Sequence, residues 1–466
     1  MKRYLKQLLM CAVLSFALLM GTLVMGKPVL ATSGDWYLEY NYTLVPASAD
    51  NVENYILIQE YTGTAKTLYI PATAVIEGVT YRTKLLANNK SIWDGTKDTL
   101  EKLTFEDGIL AEGGFLFCKL KKLKSVNVEA LDMSQATSTA WMFSQCKSLT
   151  KLNVADWDVS NVTNMFNMFG GCEKLSSLDV SKWNTSKVTV MTSVFDHCYC
   201  LYKIDVEDWD VSNVTMMESM FYKCEKLDSL DLHKWDTSKV TTMWEMFGRC
   251  YSLRSINVKG WNTSQVTSMA GLFCCNYSLT SLDLSSFDMS KVVIGQYDDG
   301  LFTRCASLKT IKTPKNAPQK LTIDSGLTYV KKTNGKLGKK TYKYIPKTKK
   351  SITMVCTQSR SKSTKITSIT TSGGKIKLKW KKVSAPMFKP VQYEVQCSTK
   401  KNFSDAVGKM TNTTDSTYSV QDNVTDKTST TIKGLTKGKT YYVRVRVYTY
   451  GTTLSKWSAV KKIKVK

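Results

Sequence analysis

Apolar and polar positions recur along the middle of this chain with a period of 26 residues. The period is marked by Trp157, Trp183, Trp209, Trp235 and Trp261, with Phe287 in the next slot. With each Trp taken as phase zero, Met stands at phase eight (Met165, Met191, Met217, Met243, Met269) and Phe at phase twelve (Phe169, Phe195, Phe221, Phe247, Phe273). Cys stands at phase fifteen (Cys172, Cys198, Cys224, Cys250), and Cys146 lies one repeat earlier. Phase eleven is also apolar, so these positions fall at i, i+3, i+4 and i+7, the stripe of a short amphipathic helix. The Thr at phase six (Thr163, Thr189, Thr215, Thr241, Thr267) stands where that helix needs an N-cap. After the Cys comes Leu-x-x-[Leu/Ile]-[Asp/Asn]-[Val/Leu], as in 175–180, which predicts a short strand stacking in parallel on its neighbours. A fixed period of this size predicts a solenoid, in which each coil buries its apolar face against the next. The expected coil is strand, turn, short extended segment, helix. Weaker copies run back through Leu131 and Phe117, and forward past a three-residue slip to Phe302-Thr303-Arg304-Cys305.

The solenoid is expected over residues 111–310. Before it, 32–110 do not repeat; Tyr55–Gly63 and Lys66–Ala72 alternate like short strands, and the segment is expected to cap the open apolar end. Residues 311–364 are expected to form a β-rich C-terminal cap or linker. Residues 1–31 have a basic start (Lys2, Arg3, Lys6), an apolar run from Leu8 to Met25 and small residues at Val29-Leu30-Ala31, the pattern of a cleaved secretory signal. No later stretch is long and apolar enough to span a bilayer, so no transmembrane segment is expected after cleavage.

At this point the repeat resembles a known family. The residues from Trp157-Asp-Val-Ser-Asn-Val-Thr to Cys172, with their later copies, are similar to the BspA-like leucine-rich-repeat bacterial surface proteins in their 26-residue variant. The resemblance covers about residues 100–310. It implies a leucine-rich-repeat-like solenoid on a secreted or surface protein associated with adhesion. No binding residue carries over, because the repeated positions are the structural ones. Residues 365–466 resemble a fibronectin type III domain: Trp380 matches its core Trp and Tyr441, six after Leu435, its tyrosine corner. There Val443, Val445 and Val447 are expected inward, with Arg444 and Arg446 outward. The expected fold class is therefore α+β, a solenoid of short strands and short helices followed by an all-β sandwich.

Charge changes the functional picture. The chain has 65 lysines and arginines against 39 acids; residues 311–466 hold 35 against 6, leaving 30 against 33 in the rest. A basic tail on a near-neutral scaffold points to contact with a polyanion. Outside the cell the polyanions are cell-wall polymers, glycosaminoglycans or anionic lipid, the chain carries no nucleic-acid-binding motif, and the alternative is that the lysines only keep a β-rich tail soluble.

Catalytic and metal chemistry is poorly represented. The two histidines, His197 and His233, occupy different phases, and a His197–Cys198 dyad would need neighbouring side chains to converge. The cysteine ladder reads best as a small apolar filler; bridges between adjacent coils would leave members of the ladder unpaired. Asp and Asn form ladders at phase one (Asp158, Asn184, Asp210, Asp236, Asn262, Asp288) and phase twenty-two (Asn153, Asp179, Asp205, Asp231, Asn257, Asp283). Stacked carboxylates could bind calcium, but the Asn substitutions fit turn capping better. No cofactor, no metal and no enzyme activity are expected. Binding should use phases the repeat leaves free. Candidate partner-binding residues are Tyr199, Tyr251 and Tyr277 at phase sixteen, with Phe166, Tyr222, Trp244 and Arg249 at phases nine to fourteen, since aromatics and Arg make typical anchors. The expected partner is an extracellular protein or glycan.

Overall fold

The structure is a computed structural model that describes residues 24–26, 40–48, 53–87, 89–293, 300–305, 307–317, 321–322, 328–347, 349–356, 364–383, 392–403, 424–425, 428–449, 452–453 and 455–466. Apart from Val24–Gly26, which pairs antiparallel with Tyr42–Leu44, the expected signal segment lies outside them. No helix among the described residues is long and apolar enough to cross a membrane. Two compact units are present: Met1–Phe247 with Gly260–Met269, and Gly248–Lys259 with Ala270–Lys466.

The first unit opens with a hairpin-like pair, Tyr40–Val45 against Tyr55–Tyr61. The sheet then turns parallel through Val79–Leu86, Ile109–Glu112 and Leu131–Asp132. A second parallel sheet stacks Thr67–Ile70, Lys102–Phe105 and Ser125–Val126. Alternation along Tyr55–Tyr61 puts Ile56 and Ile58 inward, with Leu85, Trp93 and Phe105 completing a buried core.

The coils that follow hold the expected residues inside but not the expected helix. Met165, Met168, Phe169 and Cys172 are all fully buried, as are their equivalents Met191, Val194, Phe195 and Cys198. Among the described residues, however, the only helical pieces are two short 3-10 turns, Asp94–Thr96 and Val128–Ala130. The α+β expectation is therefore corrected to a β-solenoid. The reason lies in where the backbone N–H groups go. At phases eight, ten, twelve and fourteen they donate to the next coil: Met165 to Val190 O, Asn167 to Thr192 O, Phe169 to Val194 O and Gly171 to Asp196 O, at 2.7–3.0 Å. The alternate groups bond locally, Met168 to Met165 O and Cys172 to Phe169 O. A helix would direct every N–H back along its own turn. Here the chain flips to positive φ at phases ten and fourteen, as at Trp141, Gln145, Asn167, Ser193, His197, Ser219 and Lys223. Left-handed residues cannot sit inside a helix, yet they still place side chains i, i+3, i+4 and i+7 on one face.

The N-cap expectation fails for the same reason. Both the N–H and the hydroxyl of Thr163 donate to Thr137 O, 26 residues back, at 2.9 and 3.2 Å, and Thr189, Thr215, Thr241 and Thr267 repeat this. Phase seven forms parallel bridges from Ser138 to Asn164 and on through Val190, Met216, Thr242 and Ser268. The strand after the Cys is present but only two residues long in Ser177–Leu178, which pairs parallel with Lys203–Ile204.

The tryptophans and phenylalanines stack coil on coil. Phe117, Phe143, Phe169, Phe195, Phe221 and Phe247 lie 4.9–5.8 Å apart, and Trp157, Trp183 and Trp209 lie 6.5 and 5.9 Å apart, nearly parallel. Each pair is worth roughly 0.5–1.5 kcal/mol beyond its area burial. The Nε1 of each phase-zero Trp from Trp157 to Trp261 also donates to a carbonyl of the preceding coil, as Trp183 to Val154 and Trp209 to Val180, both at 2.9 Å.

In the second unit, Ser281–Asp283 pairs parallel with Thr310–Lys312, and the sheet continues antiparallel through Thr353–Cys356, Tyr329–Thr333 and Lys336–Tyr342. Tyr329 is buried and its hydroxyl donates to Leu308 O at 2.7 Å. Further on, Ile366–Ser372, Lys375–Trp380 and Ser429–Ile432 form one antiparallel sheet. Gln392–Ser398, Thr440–Thr449 and Lys461–Lys464 belong to another. Ile376, Leu378, Trp380, Tyr393, Val395, Ile432, Val443, Val445 and Val447 make one buried cluster from both sheets. The Tyr441 hydroxyl accepts from Thr436 N at 3.1 Å. Arg444 stacks on Phe403 and Trp457, at 3.9 and 4.3 Å, and Arg446 pairs with Glu394.

Candidate functional site

The fixed phases are consumed by the fold. The Cys198 thiol donates to Phe169 O at 3.2 Å, and Cys172 and Cys224 do the same to Phe143 and Phe195. No disulfide joins the described cysteines, and burial pushes Cys146, Cys172 and Cys198 far above the usual thiol range. A deeply protonated thiol cannot act as a nucleophile. The Asp and Asn ladders close Asx turns: Asp158 Oδ1 accepts from Ser160 N at 2.9 Å, and Asp179 Oδ1 accepts from Ser181 N and Oγ.

The free phases carry the candidates. In the first unit, Phe115, Trp141 and Phe166 are half-buried and lie ring to ring, at 6.0 and 5.2 Å. Their backbones are locked by the inter-coil ladder, Phe115 N to Ala140 O and Trp141 N to Phe166 O, both 2.8 Å. Phe166 was expected from its phase. Phe115 and Trp141 were missed: they stand at phase ten of the weaker copies before Trp157, and it is the left-handed backbone there that turns their rings together.

A second cluster gathers around His197. Its Nδ1 meets Asp196 Oδ1 at 2.5 Å, and Lys223 Nζ lies 2.9 Å from its Nε2. If Lys223 donates to Nε2, the imidazole is neutral with its proton on Nδ1. Tyr199 and Tyr222 pack edge-on to the ring, each at 5.6 Å, and Lys223 covers Tyr222 at 5.3 Å. Tyr199 and Tyr222 thus come together as expected, through a histidine that sequence reasoning treated only as a dyad partner. His197 and Cys198 hold different partners, so no dyad forms. His233 is engaged elsewhere, with Asp231. Trp244 is 48% exposed, the most open aromatic among the candidates.

In the second unit, Tyr251 and Tyr277 lie 5.2 Å apart, bringing those two candidates together. Tyr251 and Arg249 are half-buried, but Tyr277 is only 2% exposed and packs on Cys274 and Cys275. It belongs to an interior cluster rather than to an open face. Among the described residues, no group of three His, Cys, Asp or Glu side chains could hold a metal ion.

Residues 114–230 and 200–311 match a family model described as "Mycoplasma protein of unknown function, DUF285". The structure is similar to the crystal structure of a leucine rich cell surface protein from Faecalibacterium prausnitzii A2-165, at 16% identity and a TM-score of 0.31, over 63% of this chain and 96% of that one. No curated protein matches the chain.

Proposed function

We propose that this chain is a secreted or cell-surface, non-catalytic binding protein, adhesin-like, whose coils present an extracellular protein or glycan partner with aromatic side chains at the phases the repeat leaves free. The observation that carries this is the Phe115–Trp141–Phe166 run, three rings held in register outside the buried Phe and Trp ladders. Rigid aromatics on an ordered backbone bind with little loss of conformational freedom, which is what an anchor residue requires. Exposed Trp244 and the Tyr199–His197–Tyr222 cluster add to the same class of surface. The signal-like pattern of 1–31 supports export, and the sandwich of 365–466 is read as a fibronectin type III spacer or display module.

The test is binding of the full chain to arrayed matrix proteins and glycans, with Phe166→Ala and Trp244→Ala as variants. A binding anchor of about 2 kcal/mol corresponds to a roughly 30-fold weaker Kd. Loss of that size with an unchanged Tm supports the reading; a fall in Tm without loss of affinity overturns it.

One observation favours a second reading. The Tyr329–Thr333 and Lys336–Tyr342 strands carry exposed Lys332, Lys336, Lys339 and Lys340. A lysine-rich hairpin suits an accessory or spacer protein held to an anionic wall polymer. Binding that vanishes at high salt and with these lysines replaced, and that ignores the two aromatic variants, would select it.

A further inference from the structure

We propose that Cys274 and Cys275 form a peroxide-sensitive dithiol in which Cys275 is oxidised first and Cys274 resolves it. Their coil departs from the pattern where the others are most regular. Phase fifteen, which holds the ladder cysteine in other coils, is Asn276, fully buried and donating to Phe273 O at 3.1 Å. The two thiols stand instead at phases thirteen and fourteen. The packing role of the ladder cysteines therefore does not account for them.

Phase fourteen is the left-handed position, and Cys275 has φ +61°. In the coils on either side that phase is Arg249 and Arg304. The backbone is held on both sides, with Arg249 N donating to Cys274 O at 2.8 Å and Cys275 N to Thr303 O at 2.6 Å. The Cys275 sulfur thus sits in a cationic row, with Tyr277 packed on it, Tyr251 beside them and the buried Cys305 nearby. A hydrogen bond from the Cys274 thiol, then the charges of Arg304 and Arg249 and a hydrogen bond from Tyr277, outweigh burial and bring Cys275 down to about 7. The ladder thiols move the opposite way. Cys275 is only 6% exposed, so its reagent must be small, while Arg304 beside it is open to solvent.

The step balances with hydrogen peroxide as the oxidant. The Cys275 thiolate attacks one peroxide oxygen; the S–O bond forms, the O–O bond breaks, and hydroxide leaves to take up a proton as water. The sulfur is oxidised to sulfenic acid. The Cys274 sulfur then displaces water from it, giving an S–S bond. Adjacent Cα atoms are about 3.8 Å apart, below the usual span of a disulfide, so this bridge is strained and easily reduced.

At pH 7 a thiol with a pKa of 7 is half ionised, against a few per cent for an ordinary one, while its intrinsic nucleophilicity is several-fold lower. The distinguishing readout is therefore the pH profile. The full chain is treated with limiting hydrogen peroxide and mapped by mass spectrometry after acid quenching. The expected product is a Cys274–Cys275 peptide two hydrogens lighter and restored by dithiothreitol, with a rate midpoint near pH 7. In Cys274→Ser, where the hydroxyl still donates, dimedone added together with denaturant after the peroxide step should label Cys275. Arg304→Gln, on an exposed side chain, should move the midpoint upward without changing Tm. Oxidation that starts at Cys200, Cys356 or a ladder cysteine overturns the proposal, as does a midpoint that Arg304→Gln leaves in place.

Discussion

Raising the pH should unfold the coils through their cysteine ladder, with a slope that counts the thiols. In the first unit Cys146, Cys172 and Cys198 are completely buried, and burial raises each far above the ordinary thiol value. A raised folded pKa means the stability is intact below the unfolded value, about 8.5, and is lost as the pH rises past it, because only the unfolded thiol ionises. At pH 10 the unfolded thiol is about 97% ionised, a cost of about 2 kcal/mol per cysteine, or about 6 kcal/mol for the three. That matches the whole stability of many domains. The assay is equilibrium urea unfolding between pH 7 and 10.5 with excess reductant, for the parent and for Cys198→Ala. The variant loses the thiol that donates to Phe169 O at 3.2 Å, so at pH 7 it should be less stable by about 1–3 kcal/mol. Above pH 9 its stability should fall less steeply than the parent's, by about 1.4 kcal/mol per pH unit. Tyrosines and lysines titrate equally in both proteins, so the difference isolates one thiol. Equal slopes would mean that Cys198 ionises freely in the folded state, and the buried ladder would be refuted.

Trp209→Phe leaves Val180 O without its 2.9 Å donor inside the Trp stack and should cost about 2–4 kcal/mol by urea unfolding; a cost below about 0.5 kcal/mol would remove the inter-coil bond as a stabilising element. Ser193→Val places a β-branched residue at φ +59° and should cost about 1–2 kcal/mol or more, whereas a helix at this site would lose only a few tenths, so a small change in Tm would argue for the helix. Asp158, Asp179 and Asp236 are held below the usual carboxylate range by hydrogen bonds from Ser160, Ser181 and Ser238. Their contribution is present above about pH 4 and is lost as the pH falls through the folded values; Asp179→Ala should flatten the acid limb of a pH–Tm curve, and a chelator should leave that curve unmoved.

The sequence by itself determined the period and the buried phases. A solenoid interior is the same environment in every coil, so Met165, Phe169, Cys172 and Trp183 return wherever their neighbours do, and burial follows from recurrence alone. It also identified the turn-closing Asp and Asn, whose partners lie two residues away. The backbone between phases eight and fifteen was decided only by tertiary structure. Its stripe fits a helix and an alternating left- and right-handed chain equally well, and the choice rests on carbonyls such as Val190 O and Thr192 O, about 25 residues distant. The candidate site divides the same way. Aromatic types at free phases were legible, which found Phe166, Tyr199 and Tyr222. That Trp141 joins Phe166, that His197 joins two tyrosines, and that Tyr277 turns inward onto Cys274 and Cys275 depends on φ signs and on which residue fills the next coil. Those contacts form between coils, at a separation where one repeat's pattern carries no information about another's exceptions.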